Sequence, residues 1–219
     1  MTAQSVTIEI YSDVVCPWCY VGKRRLERAL DQLKNEIKAR VIWRPFQLNP
    51  TMPAEGLDRV DYLEGKFGSV DAFRRVEAHV SSAGEGEGIA FAFDKISRTP
   101  NTFMAHRLIW YARQHGVQDE VVEALFKDYF EEGVEIGSPT ALVRVAERVG
   151  LRAEGFLHGN EGIVEVKAEE AAGHKLGIRG VPYFVINGAY ALSGAQPSER
   201  FVAALKTVEA DLTAGKAVR

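Results

Sequence analysis

Two hydrophobic patterns follow each other at the start of the chain. Apolar and polar residues alternate over residues 6–11, which is the period of two that a strand shows. Further on, apolar residues recur at helical spacing with charged residues between them: Leu26, Leu30, Leu33 and Ile37. The pattern therefore predicts a strand and then an amphipathic helix that begins close to Cys16.

A second strand is predicted over residues 40–46. Val41, Ile42 and Trp43 favour extended backbone, whereas Pro45 has no N–H for a ladder and limits how far this strand can lie inside a sheet. Two strands joined by a helix typically form a right-handed crossover. We therefore predict such a unit for the first part of the chain.

The middle of the chain, residues 51–160, has a helical pattern interrupted by glycines. Two helix starts are predicted, at Thr99 before Pro100 and at Ser138 before Pro139, because a hydroxyl N-cap followed by proline is a favoured combination. Eight of the 11 phenylalanines lie in this segment. This enrichment predicts an apolar core or an apolar groove here.

The last third of the chain returns to mixed structure. A helix is predicted over residues 161–176, ending at Gly177, and a terminal helix begins after Pro197. Between them, Asn187 and Gly188 separate two apolar runs, which is a strong signal for a two-residue hairpin. The order strand, helix, strand, then helix, hairpin, helix is thioredoxin-like.

We therefore predict an α/β protein with a thioredoxin-like fold and a large all-helical insertion. The chain is expected to form one unit over residues 1–219. Its thioredoxin-like core comprises residues 1–50 and 161–219, and the helical insertion comprises residues 51–160. The composition, 46% hydrophobic and 26% charged, is that of an ordinary globular protein.

Charge and hydropathy narrow the range of partners and compartments. The chain has 27 basic and 30 acidic residues, so it has no basic excess to neutralise phosphates, and we expect neither nucleic-acid nor membrane partners. Residues 1–6 lack the positive and apolar regions of a secretory signal. No segment has the roughly 18 consecutive apolar residues of a membrane-spanning helix. We expect a soluble, cytoplasmic protein.

The chain has two cysteines, and both lie in the motif Cys16-Pro17-Trp18-Cys19 at the predicted strand-to-helix junction. Unpaired N–H groups and the positive end of the helix dipole favour a thiolate there, with a cysteine pKa of about 3.5–7.5 in such settings. Cys16 is therefore the predicted nucleophile and Cys19 the resolving thiol. Pro17 suits the first helical position, and Trp18 is an exposed aromatic beside the sulfur.

A metal site is an alternative for this motif. A Cys-x-x-Cys pair can be half of a zinc or iron-sulfur site, but such sites usually have a second ligand pair at short spacing. The five histidines show no such spacing: His79, His106, His115, His158 and His174. We favour a redox dithiol, with no metal and no cofactor beyond the redox-active disulfide, and a structural role for the pair is a further alternative.

Three residues outside the motif are weaker candidates. His106 could face the active-site groove as a proton donor, although a packed or solvent-facing histidine is commoner. Glu9 and Asp13 flank the motif, and a carboxylate there could relay protons during exchange. Surface solvation is the commoner role for such carboxylates.

Three segments of the chain resemble the FrnE-like branch of the DsbA-like family. They are YSDVVCPWCYVG at residues 11–22, TPNTFMAHR at residues 99–107 and LGIRGVPYF at residues 176–184. The resemblance covers most of the chain. It implies a thioredoxin fold with a helical insertion, a redox-active dithiol, and a cis proline at Pro182 packed against it. In that arrangement the backbone of Val181 pairs with an extended substrate segment.

The leading hypothesis is thiol-disulfide exchange with protein thiols or disulfides, or with small thiols, and glutathione is a candidate co-substrate. Pro17, Trp18, Val181, Pro182 and His106 are the candidate substrate-binding residues. The direction of exchange and the formation of a homodimer stay open.

A weaker resemblance extends to 2-hydroxychromene-2-carboxylate isomerases and kappa-class glutathione transferases, which typically carry serine where Cys16 stands. The alternatives are therefore an isomerase or glutathione-dependent transferase acting on a small aromatic compound, and a non-catalytic binder that uses an apolar groove around Trp18.

Overall fold

The computed structural model describes residues 5–214. Its strands are β1 (Ser5–Ser12), β2 (Lys38–Pro45), β3 (Leu57–Asp58), β4 (Arg98–Thr99), β5 (Tyr183–Ile186) and β6 (Tyr190–Ser193). Its helices are α1 (Pro17–Gln32), α2 (Arg59–Phe67), α3 (Val70–Glu85), α4 (Phe103–Gln114), α5 (Gln118–Phe130), α6 (Pro139–Arg148), α7 (Glu154–His158), α8 (Ile163–Lys175) and α9 (Ser198–Thr213), with a 3-10 turn at Phe93–Lys95. Residues 1–4, which belong to the N-terminal segment without the pattern of a secretory signal, lie outside the described residues.

A four-stranded mixed sheet forms the centre of the fold. Its strand order is β2-β1-β5-β6, with β1 and β2 parallel and the other two pairs antiparallel. The alternation predicted for β1 is confirmed, since Val6, Ile8 and Ile10 are at most 1% exposed. Tyr11, on the opposite face, is buried as well because it packs with Phe46 and Ile178. The predicted α/β class is confirmed.

One side chain covers part of the β2 edge of this sheet. Gln118, the first residue of α5, accepts a hydrogen bond from the Trp43 N–H (3.0 Å) and donates one to the Trp43 carbonyl (3.0 Å). Both bonds are buried. At this residue the amide of Gln118 therefore replaces the backbone of a neighbouring strand.

Helix α1 begins directly at the cysteine motif. Cys16 is its N-cap and Pro17 its first residue. The N–H that proline lacks would have no partner within the helix at this position, so no helical hydrogen bond is lost. The helix ends at Gln32, before two of the apolar residues that predicted it. Leu33 and Ile37 remain buried, at 2% and 7% exposed, because the turn after the helix folds back on the core.

The regular secondary structure of the insertion is helical apart from one pair of two-residue strands, β3 and β4, so the insertion is not all-helical as predicted. The predicted helix start at Ser138 is confirmed, since its hydroxyl accepts the Ala141 N–H at 3.2 Å. The predicted start at Thr99 is wrong. Thr99 pairs with Leu57 in the small sheet, and α4 begins only at Phe103.

The hairpin predicted around Asn187 and Gly188 is confirmed. These two residues have positive φ angles of 50° and 71°, but the connection from β5 to β6 also includes Ala189, so the loop is one residue longer than the predicted two. The turn is also tied to the first strand, because the Asn187 side chain accepts the Thr7 N–H at 2.7 Å and the Asn187 N–H donates to the Thr7 carbonyl at 2.8 Å.

The sheet and the insertion share one hydrophobic core. Its largest cluster joins Ile8 of β1 and Phe184 of β5 to Leu108, Phe126 and Leu142 of the insertion helices. None of the described helices is both long enough and apolar enough to cross a membrane. The domain boundaries at residues 50 and 161 stay a prediction.

Candidate active site

The cysteine motif occupies the turn between β1 and α1. The Cys16 N–H donates to the Asp13 carbonyl at 3.0 Å, and the Cys16 carbonyl accepts the Cys19 N–H at 3.0 Å. These bonds fix Cys16 at the N-terminus of the helix, where unpaired backbone N–H groups favour negative charge. Only 5% of Cys16 is exposed.

The Val181–Pro182 segment faces the first cysteine. Its peptide bond is cis, as the resemblance implies, and the Cys16 thiol donates to the Val181 carbonyl at 3.5 Å. Gly22 of α1 allows this close approach, since a Cβ there would lie 3.1 Å from both Pro182 Cγ and Phe184 Cζ. The structure therefore brings together Cys16, Val181 and Pro182, three of the predicted site residues.

Cys19 has a different environment from Cys16. It is 1% exposed, and burial raises its pKa well above the ordinary value of 9.0, as do the hydrogen bond and the charge of Cys16. The Ser12 hydroxyl and the Asp13 backbone oppose this shift more weakly. Cys19 is therefore a protonated thiol at neutral pH.

Trp18 is partly buried, so the prediction of an exposed aromatic is wrong. The His79 ring, on α3 of the insertion, lies with its centroid 5.4 Å from that of Trp18. The insertion covers this residue of the motif, which the sequence pattern around Trp18 gives no means of anticipating.

Asp13 and His106 form a buried pair next to the motif. Asp13 is 1% exposed and His106 3% exposed, with Asp13 Oδ1 3.3 Å from His106 Nε2. The other carboxylate oxygen accepts the Leu48 N–H at 2.7 Å. Surface solvation is therefore wrong for Asp13, and His106 is packed against Asp13. Direct contact of His106 with substrate stays a prediction.

The basic residues that follow the motif are neutralised by carboxylates. Lys23 Nζ lies 3.1 Å from Asp119 Oδ2 and also pairs with Glu27 and Glu123. Arg24 pairs with Glu123 as well. Burial raises the pKa of the Glu123 carboxyl, but hydrogen bonds from Arg24 and Lys23 outweigh the effect of burial and lower this pKa to about 2. These cations join α1 to α5 and are not free to face the Cys16 sulfur.

An apolar cavity of about 110 Å³ lies beside the motif. Its wall on the motif side includes Asp13, Val15 and Pro17. The insertion supplies most of the remaining wall, with apolar side chains from α2, α3 and α5: Leu63, Phe67, Phe73, Val76, Val80, Tyr129 and Phe130. Among residues 5–214, no group of three or more histidines, cysteines and carboxylates is placed to hold a metal ion.

The family of the chain follows from a match over most of its length. Residues 7–206 match the DSBA-like thioredoxin domain. The chain belongs to this family. A crystal structure of a probable DsbA oxidoreductase from Streptomyces coelicolor is 32% identical, with a TM-score of 0.86, and the alignment covers 94% of this chain and 91% of that one.

Two more distant structures share the fold of this DsbA-like chain. A 2-hydroxychromene-2-carboxylate isomerase is 14% identical, with a TM-score of 0.68 over 95% of this chain and 98% of that one. The cytosolic disulfide reductase DsbM from Pseudomonas aeruginosa, in a structure with GSH, is 17% identical, with a TM-score of 0.60 over 95% and 98%. At these identities the likeness concerns the fold alone.

Proposed function

We propose that this DsbA-like protein exchanges disulfides with protein or small-thiol substrates through Cys16 and Cys19. The observation that supports this proposal most directly is that the two thiols lie in different environments. Cys16 stands at a helix N-terminus opposite the Val181 carbonyl, whereas Cys19 is buried with a raised pKa. A helix N-terminus favours the thiolate that exchange requires. Cys16 is accordingly the attacking thiol and Cys19 the resolving one.

Exchange in the reducing direction has two steps. The Cys16 thiolate attacks one sulfur of a substrate disulfide, so that a mixed disulfide forms and the other substrate sulfur leaves as a thiolate, which takes up a proton. Cys19 then loses its proton and attacks the Cys16 sulfur, which releases the second substrate thiol. The substrate is reduced by two electrons and the Cys16–Cys19 pair is oxidised. The reverse sequence oxidises a dithiol substrate.

The segment at Val181 offers a way to hold a substrate. Val181 is partly exposed, and it precedes Pro182 and β5. A substrate in extended conformation would add to this backbone as a short strand, while Pro17 and Trp18 contact its side chains. This assignment comes from the resemblance and from the position of Val181 beside Cys16.

Glutathione is the proposed small-thiol co-substrate, and the cytoplasm the proposed compartment. The structure of DsbM, a cytosolic disulfide reductase of the same fold, was determined with GSH. In the cytosol, glutathione and thioredoxin keep thiols reduced, so a cytoplasmic location would favour reduction over oxidation of substrates.

The reduction potential of the cysteine pair tests this proposal. The protein is equilibrated in glutathione buffers of graded potential, and free thiols are counted by alkylation and mass spectrometry. We expect one two-electron transition, lost in Cys16→Ser, and a trapped mixed disulfide with glutathione in Cys19→Ser. No transition in a folded protein would overturn the proposal, and the midpoint separates an oxidase from a reductase.

An isomerase or transferase acting on a small aromatic compound is the second candidate. The observation in its favour is the apolar cavity that reaches Pro17 beside Cys16. This function does not need both thiols. Conversion of a 2-hydroxychromene-2-carboxylate by the variant with both cysteines replaced by serine would favour it, whereas loss of all activity in that variant favours exchange.

A further inference from the structure

The apolar cavity borders the cysteine motif, although Cys16 itself is not part of its lining. Val15 and Pro17, the two residues that flank Cys16, both line it. The opposite wall is formed by insertion helices, with Leu63 on α2 and Phe73 on α3. A polypeptide that forms a mixed disulfide with Cys16 could therefore place in this cavity a side chain that is only a few residues away from its own cysteine.

The size of the cavity limits what it can hold. An engineered apolar cavity of about 150 Å³ in another protein takes up benzene, and the cavity here has about 110 Å³. One branched aliphatic side chain or one aromatic ring approaches this volume. A larger substrate could place only one such group in the cavity and would have to lie mostly outside it.

The rim of the cavity is apolar and exposed. Within residues 5–214, eight large apolar residues are exposed, and three of them line this one cavity: Leu48 at 36%, Phe67 at 40% and Val76 at 40%. A small molecule inside the cavity would leave this rim in water. A polypeptide that continues past the cavity would cover it, which is the usual meaning of clustered exposed apolar side chains near a site.

Few charges at the cavity are free to attract a charged substrate. Arg59 pairs with Glu77 at 2.8 Å, and both residues line the cavity. Lys66 lies over the rings of Tyr62 and Phe67, at 5.6 and 5.8 Å from their centroids. Lys66 keeps its positive charge there, but apolar side chains make up most of the lining, and they favour an uncharged group.

We infer that this cavity binds one bulky apolar side chain, aliphatic or aromatic, of a polypeptide close in sequence to the cysteine that reacts with Cys16. This inference rests on the proposed function and names its substrate class. Substrates are selected by the side chain next to their disulfide, through burial of that side chain between the motif and the insertion. Glutathione has no such side chain and reacts without using the cavity.

Two peptides provide the test. Each carries one disulfide to a small thiol, and they differ only in leucine or serine beside the cysteine. We expect the reduced wild-type protein to cleave the leucine peptide with a kcat/KM about tenfold higher. The variant Val76→Asp places a carboxylate at the rim and should remove this preference, measured as the ratio of kcat/KM for the two peptides. Val164→Asp, on α8 at a position 74% exposed and away from the cavity lining, is the matched control and should keep the preference.

The outcomes separate the two proposals. Reaction with neither peptide nor glutathione would overturn the proposed function. Reaction with both peptides at equal rates in the wild-type protein would leave the proposed function standing and overturn the cavity assignment. A preference that survives in Val76→Asp and in a second rim variant, Phe67→Ser, would overturn it as well.

Discussion

At the scale of single residues, the two cysteines differ most in their response to pH. Burial raises the pKa of Cys19 in the folded protein, so between 9.0 and the raised value the unfolded chain loses a proton that the folded chain keeps. The unfolded state then binds fewer protons, and the free energy of unfolding falls as the pH rises.

We therefore expect the reduced protein to lose stability above pH 9, by up to about 1.4 kcal/mol per pH unit from this group. Urea unfolding at pH 7, 9 and 10 in a reductant measures the slope. Cys19→Ala should have a shallower slope, whereas Cys16→Ala should keep most of it. Burial also raises the pKa of Tyr129 to about 12, but this contribution is common to all three proteins. Equal slopes in wild type and Cys19→Ala would contradict the expectation.

The buried carboxylate of Asp13 gives a second prediction at this scale. It accepts the Leu48 N–H and contacts the buried His106 ring, so Asp13→Ala would remove the partner of both groups. We expect Asp13→Ala to lower the free energy of unfolding by about 2–4 kcal/mol, and Asp13→Asn, which keeps one acceptor oxygen, to lose less. Urea denaturation measures both. A loss below about 0.5 kcal/mol in Asp13→Ala, the range of surface substitutions, would contradict this role.

The Asp13 pair also marks a limit of what the sequence can predict. The motif at Cys16 has a local chemical signature, and so does the turn at Asn187 and Gly188, because backbone conformation depends on neighbouring residues. Asp13 and His106 are 93 positions apart and meet only after α4 packs against β2 of the sheet. No spacing along the chain indicates such a pair.

At the scale of secondary structure elements, helix α1 must come close to the Pro182 segment. We expect Gly22→Ala to destabilise the protein by about 1–2 kcal/mol and to slow disulfide exchange, because the added methyl group would press on Pro182 and Phe184. Thermal unfolding and the rate of reaction with oxidised glutathione measure the two effects.

Gly65 in α2 is the matched control for this substitution. An added Cβ there meets nothing within 4 Å, so Gly65→Ala should stabilise the helix by about 0.5–1 kcal/mol and leave exchange unchanged. If both variants change stability and exchange rate in the same way, the close approach of Gly22 to Pro182 does not determine either property.

The two predicted helix starts show when local signals suffice for an element. Ser138 caps α6 as its sequence predicts, and its backbone is not part of a strand. Thr99 has the same hydroxyl-proline signal, but its backbone pairs with Leu57, and the Asn101 side chain accepts the Phe103 N–H at 3.0 Å. A contact between distant segments therefore displaces the helix start by several residues, which the sequence alone does not reveal.

At the scale of the whole molecule, the shared core should make the sheet and the insertion unfold together. The main cluster runs without interruption from β1 and β5 into α4, α5 and α6. We expect one two-state transition in urea, with coincident curves for far-ultraviolet circular dichroism and for the fluorescence of Trp18, Trp43 and Trp110. Two separated transitions would mean that the insertion is an independent folding unit.

The contact of Gln118 with Trp43 has a consequence for how copies of this protein behave when they are crowded together. An uncovered sheet edge is a template on which another chain can add a strand, and such additions lead to aggregates. At Trp43 the backbone groups that an incoming strand needs are already bonded to Gln118. Growth of the sheet past β2 at this point requires that Gln118 first release Trp43, so one glutamine side chain blocks the addition of another strand at the position of Trp43.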